Sequence, residues 1–197
     1  MKLPDSILNV LESQKGTITS QDICALGITR SMLGKYVKAG LLERTGRGVY
    51  TRPDSLADDI FAIARRSGKI VFSHATALFL LGKSERTPFN HYATIKSGDT
   101  IPYTLRREIK VFYVKDELYD LGKIMVPTPF GNMVPCYDLE RTVCDFVKNR
   151  SRMDEELLIA TIKSYVGDRN RNLSKIGEYA QKLGIEEKLN RMLEVVL

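Results

Sequence analysis

The stretch Ile28 to Arg52 reads ITRSMLGKYVKAGLLERTGRGVYTR and decides the fold. Six cations, Arg30, Lys35, Lys38, Arg44, Arg47 and Arg52, stand against a single acid, Glu43. A net +5 of the chain's formal +6 therefore lies in 25 residues. Charge this concentrated suits a polyanion. The local pattern predicts which part makes the contact. Thr29 is a helix N-cap, Leu33 and Val37 lie four apart on one side, and Gly40 ends the helix. Leu41 to Thr45 and Val49 to Arg52 are short runs joined by Gly46-Arg47-Gly48, whose glycines tolerate a tight turn. A helix followed at once by a basic hairpin is the back half of a winged helix-turn-helix.

The front half precedes it. Ser6 to Ser13 places Ile7, Leu8, Val10 and Leu11 at helical spacing behind Pro4, and Gly16 follows. Thr19 or Ser20 caps a short second helix with Ile23 and Leu26 facing inward, and Gly27 turns the chain into the third. In such a unit the third helix enters the DNA major groove by its N-terminal residues. With Leu33 and Val37 as core, Arg30, Ser31, Gly34, Lys35 and Lys38 form the exposed face. The candidate DNA contacts are Ser20, Thr29, Arg30, Ser31, Lys35 and Lys38, with Arg44, Arg47 and Arg52 from the wing. A charged face also suits a winged helix that contacts proteins. An arginine between two glycines favours nucleic acid, because it can approach a phosphate backbone or minor groove without side-chain collision.

The chain has 197 residues, 43% hydrophobic and 27% charged, an ordinary globular composition for one domain or two small ones. Its longest apolar runs, such as Ala75 to Leu81, are too short to cross a bilayer, and Met1 to Val10 has no leader pattern. A soluble, cytoplasmic protein is expected. Cys24, Cys136 and Cys144 fit no disulfide framework, and Cys24 reads as buried packing. Cys136, Cys144, His74 and His91 lack metal-ligand spacing, so no metal or other cofactor is expected.

Pro53-Asp54-Ser55 breaks the wing strand and predicts a boundary, giving a DNA-binding domain over 1–52 and an α+β domain over 53–197. Ser55 is placed to cap a helix through Leu56, Ile60, Ile63 and Ala64. Residues 53–197 carry only +2, so the electrostatic case for DNA is confined to the N-terminal quarter. After the apolar Ile70 to Phe72, Ser73 caps a helix through Ala77, Leu78 and Leu81 that Gly82 closes. Strands are predicted at Tyr92–Lys96, Ile109–Val114, Ile124–Val126 and Met133–Tyr137. Amphipathic helices follow at Asp138–Val147, Asp154–Val166, 173–183 and 185–196.

Catalytic motifs are scarce. There is no P-loop, GxSxG or HExxH, and two histidines are a thin supply for acid–base work. Asp99 with Glu108-Ile109-Lys110 resembles the two-carboxylate and lysine arrangement of metal-dependent nucleases, although the usual Pro-Asp is missing and Arg106 and Arg107 crowd the acids. His74 after Ser73 reads as organising a helix start. In Glu140-Arg141-Thr142 the glutamate suits a helix N-terminus, and Arg141 is placed to pair with an acid and lock helix to sheet.

Taken in order, Gly46 to Tyr50, Phe72-Ser73-His74-Ala75-Thr76-Ala77-Leu78 with Leu81-Gly82, and Tyr137-Asp138-Leu139-Glu140-Arg141-Thr142 with Asp145 resemble the AbiEi family of bacterial abortive-infection antitoxins. The resemblance spans nearly the whole chain. It implies a winged helix that binds inverted repeats in its own promoter and represses the operon. It also implies a C-terminal domain that opposes a co-encoded nucleotidyltransferase-like toxin in a type IV system, without a stable complex. The expected protein is an autorepressor and antitoxin, not an enzyme, monomeric in solution and pairing on DNA. Three alternatives remain: a regulator with a small-molecule-sensing C-terminal domain, a nuclease using Asp99, Glu108 and Lys110, and an adaptor whose winged helix never meets DNA.

Overall fold

The computed structural model describes residues 1–53, 55–84 and 86–196. It is an α+β protein that divides into two compact units, one of 1–68 with 127–134 and the other of 69–126 with 135–197. The first unit begins with α1 (Asp5–Ser13), β1 (Thr17–Thr19), α2 (Ser20–Ala25) and α3 (Arg30–Lys38). It continues with β2 (Glu43–Gly46), β3 (Val49–Thr51) and α4 (Asp59–Arg66). Three helices and a three-stranded antiparallel sheet in the order β1-β3-β2 make the winged-helix arrangement. Ile7, Leu11, Ile18, Ile23, Leu33, Tyr36 and Leu42 form its core. The inward residues of α3 are thus Leu33 and Tyr36, with Val37 only partly buried, because the three-residue step to Tyr36 faces the core more squarely. Cys24, read as packing, is exposed on α2.

The helix expected to start at Ser55 begins later, at Asp59, and its cap is Asp58. The neighbouring Asp54 lies outside the described residues. Asp58 is 1% exposed, and its Oδ1 accepts from the Phe61 amide at 3.0 Å. Its Oδ2 accepts from Thr128 Oγ1 at 2.6 Å and Asn132 Nδ2 at 2.8 Å, while its own amide donates to Thr17 Oγ1 at 3.0 Å. One carboxylate therefore joins α4 to β1 and to the 127–134 turn. The boundary read at Arg52 falls inside this unit, since the break at Pro53 is followed by a helix that packs back on β1.

The second unit contains β4 (Val71–Phe72), α5 (His74–Leu80), β5 (His91–Lys96), α6 (Tyr103–Arg106) and β6 (Ile109–Val114). β7 (Lys123–Pro127), β8 (Met133–Tyr137), α7 (Leu139–Lys148), α8 (Glu155–Gly167), α9 (Leu173–Leu183) and α10 (Glu186–Val196) complete the chain. Its mixed five-stranded sheet has the order β6-β5-β4-β8-β7, with β4 antiparallel to β5, and with β5 and β6 parallel. Val143, Phe146, Val147, Ile162, Tyr165 and Ile176 lie in the helical core.

Arg141 on α7 is 1% exposed and is the largest fully buried side chain among the described residues. Its Nε donates to Asp145 Oδ1 at 3.0 Å, and its Nη1 to the carbonyls of Leu118 at 2.8 Å and Leu121 at 2.7 Å. The guanidinium carbon lies 4.2 Å from the centre of the Tyr137 ring. Burial pushes the Asp145 carboxyl above its ordinary value and outweighs the opposing pull of the Arg141 guanidinium, and Oδ2 has no partner among the described residues. Asp138 caps α7 through the Arg141 amide, and its Oδ2 accepts from Tyr179 Oη at 3.1 Å. Glu140 Oε1 accepts from the Asn172 amide at the start of α9.

His74 opens α5 with a φ of +50°, fully buried and stacked 3.9 Å from the Phe112 ring. Ser73, expected to cap the helix, makes no side-chain cap bond. Its hydroxyl instead accepts from Thr94 Oγ1 at 2.9 Å and meets His74 Nδ1 at 3.0 Å, while Asn149 Nδ2 lies 3.2 Å from Nε2. Burial, helped by the charges of Arg152 and Arg141, pushes the imidazole down to about 3.

A base that stays neutral when folded but protonates near 6.5 when unfolded gives stability that is complete above that pH and declines toward about 3. Urea titrations across this window should show an unfolding free energy falling by up to about 1.4 kcal/mol per pH unit from this group. His74→Asn tolerates the positive φ and should remove that component of the slope.

Candidate nucleic-acid interface

At about 100° per residue, Arg30, Gly34, Lys38, Ser31 and Lys35 of α3 fall in that angular order within an arc of roughly 140°. All five are exposed, whereas Leu33 and Tyr36 on the opposite side are buried. No apolar side chain interrupts this face. Thr29 caps the helix by accepting from the Met32 amide at 3.3 Å. Among the described residues, Arg30, Lys35, Lys38 and Arg47 have no acidic partner.

The wing cations differ. Strands β2 and β3 pair Glu43 with Thr51 and Arg44 with Tyr50, and then slip by one residue so that Gly46 meets Val49. This bulge turns Arg44 back on the wing, where its Nε donates to the Gly46 carbonyl at 3.2 Å. Arg52 lies 3.7 Å from Glu12, an exposed pair of little energetic weight. Arg47 alone is carried at the exposed tip. Ser20, half-buried at the start of α2, donates its amide to the Gly48 carbonyl at 2.8 Å. That bond ties the second helix to the wing, which the sequence did not signal.

Two glycines mark different requirements. Gly48 has a φ of +72°, and a Cβ there would lie 2.8 Å from Ser20 Oγ, so the tight turn requires glycine. Gly34 has neither reason: a Cβ there would meet nothing within 4 Å. A mid-helix glycine without an internal purpose leaves the exposed backbone open to close approach by a ligand.

Behind this face, Asp22 closes a reciprocal cap with Thr19, taking its amide at 2.9 Å and its hydroxyl at 2.7 Å, and pairs with Arg65. Burial pushes the Asp22 carboxyl upward, but the Thr19 and Arg65 hydrogen bonds outweigh it and leave the pKa below the ordinary 3.8. Arg65 was not foreseen, since nothing local links it to a residue 43 positions away.

The nuclease constellation is not assembled. In the parallel β5–β6 pair His91 faces Ile109 and Lys96 faces Val114, so Glu108 precedes the start of β6 while Asp99 follows the far end of β5. Six residues of strand separate them by about 17 Å, too far for a shared Mg²⁺ whose ligands lie at about 2.1 Å. Asp99 pairs with Lys69 at 2.7 Å, and the Lys110 amine lies 3.3 Å from Tyr92 Oη. Among the described residues, no group of three or more His, Cys, Asp or Glu is placed to hold a metal. Among the same residues, no helix is long and apolar enough to cross a membrane.

Residues 5–53 match the family model described as transcriptional regulator, AbiEi antitoxin, so the resemblance is shown for this segment. The crystal structure of the RV2827C protein from Mycobacterium tuberculosis is similar in fold, with a TM-score of 0.56 and 13% identity over 98% of this chain and 82% of that one. No curated protein matches.

The glycines give a direct check. Gly34→Ala should stabilise the protein by about 0.5–1 kcal/mol, and Gly48→Ala should destabilise it by at least about 1–2 kcal/mol. Chemical denaturation of both variants measures the opposite signs.

Proposed function

We propose that this chain is a sequence-specific DNA-binding autorepressor that doubles as the antitoxin of a type IV operon. The match of residues 5–53 to a regulator and antitoxin family supports the general reading. The uninterrupted polar arc of α3, with cations lacking acidic partners around a glycine, carries the DNA assignment. α3 enters the major groove of inverted repeats in the protein's own promoter, Lys35 and Ser31 read base edges, and Arg30 and Lys38 meet phosphates. The hydroxyls of Thr29 and Ser20, at the starts of α3 and α2, donate to phosphates of the same strand, and Arg47 reaches the backbone or minor groove from the wing. Arg44 stiffens the wing, and Arg52 joins the contact by leaving Glu12. Two copies pair on the two half-sites. The remaining unit opposes a nucleotidyltransferase-like toxin in the cytoplasm without forming a stable complex, so that repression and antitoxicity reside in different parts of the chain.

Binding of the full chain to its promoter repeat should be steeply salt-dependent. The four cations placed on the backbone, Arg30, Lys38, Arg47 and Arg52, give a log–log slope of about −3.6 per bound copy. Lys35→Ala should reduce preference for operator over scrambled duplex by about 1–3 kcal/mol, whereas Arg47→Ala should weaken both equally. Gly34→Ala should weaken binding despite the gain in stability. Fluorescence anisotropy at several salt concentrations tests all three, and a flat salt response overturns the DNA assignment. Growth rescue against the co-encoded toxin by the Lys35→Ala, Arg47→Ala double variant should persist after repression is lost.

A further inference from the structure

A groove of about 780 Å³ lies along α8 and α10. Its floor is apolar: Leu158 and Ile162 belong to the core, Ile159 is 38% exposed, and Met153 and Met192 line the sides. Methionines suit a surface that adapts to a guest. Arg150, Lys163 and Arg191 stand on the rim against one acid, Glu155. Among the described residues, Arg150 and Lys163 have no acidic partner, and Arg191 meets Glu187 at 3.4 Å in an exposed pair worth little. The volume lies in the range of small-molecule sites, about 300–1,000 Å³.

We propose that this groove binds an amphiphilic carboxylate, an acyl chain on the Ile159 and methionine floor with its head between Arg150 and Lys163. The rim charge selects an anion over a cation. The apolar floor, beside which Ser151 is the one uncharged polar side chain of the lining, disfavours sugars and free inorganic anions. A second copy of the chain is disfavoured because a two-fold interface would bring two positive rims together. The site does not depend on the DNA reading and survives its failure.

Calorimetric titration of the full chain with decanoate, decyltrimethylammonium and decanol, all below micelle formation, tests the assignment. Decanoate should bind saturably, with a negative heat-capacity change and about tenfold tighter than the cation. Arg150→Glu with Lys163→Glu, both at exposed positions, should reverse that order, and Ile159→Asp should weaken all three probes. Thermal unfolding of the variants, matched to the parent, separates lost binding from lost fold. Equal affinity for the two charged probes overturns the proposal. So does decanoate binding that ignores the charge reversal, or a dimer in sedimentation that Ile159→Asp dissolves.

Discussion

A guanidinium cannot be left unpaired in a protein interior, and the second unit is arranged around that requirement. Arg141 takes up a carboxylate on its own helix, two carbonyls of the preceding loop and one aromatic face. The loop carbonyls are held in turn. Gly122 accepts from the Asp138 amide at 2.8 Å, and a Cβ on it would lie 2.7 Å from Arg141 Cβ. With a φ of +76°, only glycine closes the loop this near to the arginine. Tyr137 completes the circuit, its hydroxyl donating to the Tyr119 carbonyl at 2.8 Å.

This circuit gives a physical account of the Asp138-Leu139-Glu140-Arg141-Thr142 motif. Asp138 caps α7 and holds α9 through Tyr179, Glu140 takes the first amide of α9, and Arg141 fixes the loop. The motif organises a fold. Its polar residues are buried and held by Tyr179, Asn172, Asp145 and the loop carbonyls, so they offer little to a substrate. The same holds for Ser73 and His74, whose polar atoms are turned on each other, Thr94 and Asn149.

Local signals made much of this architecture legible. The helices α3, α7 and α9 follow from their caps and from apolar residues at three- and four-residue steps, and the wing from two glycines between extended runs. What the residues alone could not show depends on distant partners. β1 is three residues that become a strand only by pairing with β3, and the true cap of α4 is Asp58 because its second oxygen is held by the 127–134 turn. On α3, helical phase gave the exposed residues, while the inward partner of Leu33 is Tyr36 rather than Val37. The wing was less transparent, because a one-residue slip in pairing decides that Arg44 bonds the Gly46 carbonyl while Arg47 stays exposed at the turn. The nuclease-like triplet fails for a similar reason: residues close in sequence are sent to opposite ends of a parallel strand pair.

The partners of Asp58 also set an order in time. Thr128 and Asn132 follow it by 70 and 74 positions, so a nascent chain exposes the carboxylate well before the groups that satisfy it exist. At ribosomal rates of about 5–20 residues per second, that interval is about 4–15 s. The basic helices emerge early, but the unit they belong to is complete only after most of the second unit's sheet has been synthesised. Translation itself therefore delays the finished N-terminal unit, and a transcript cut short inside this interval yields helices without their final lock.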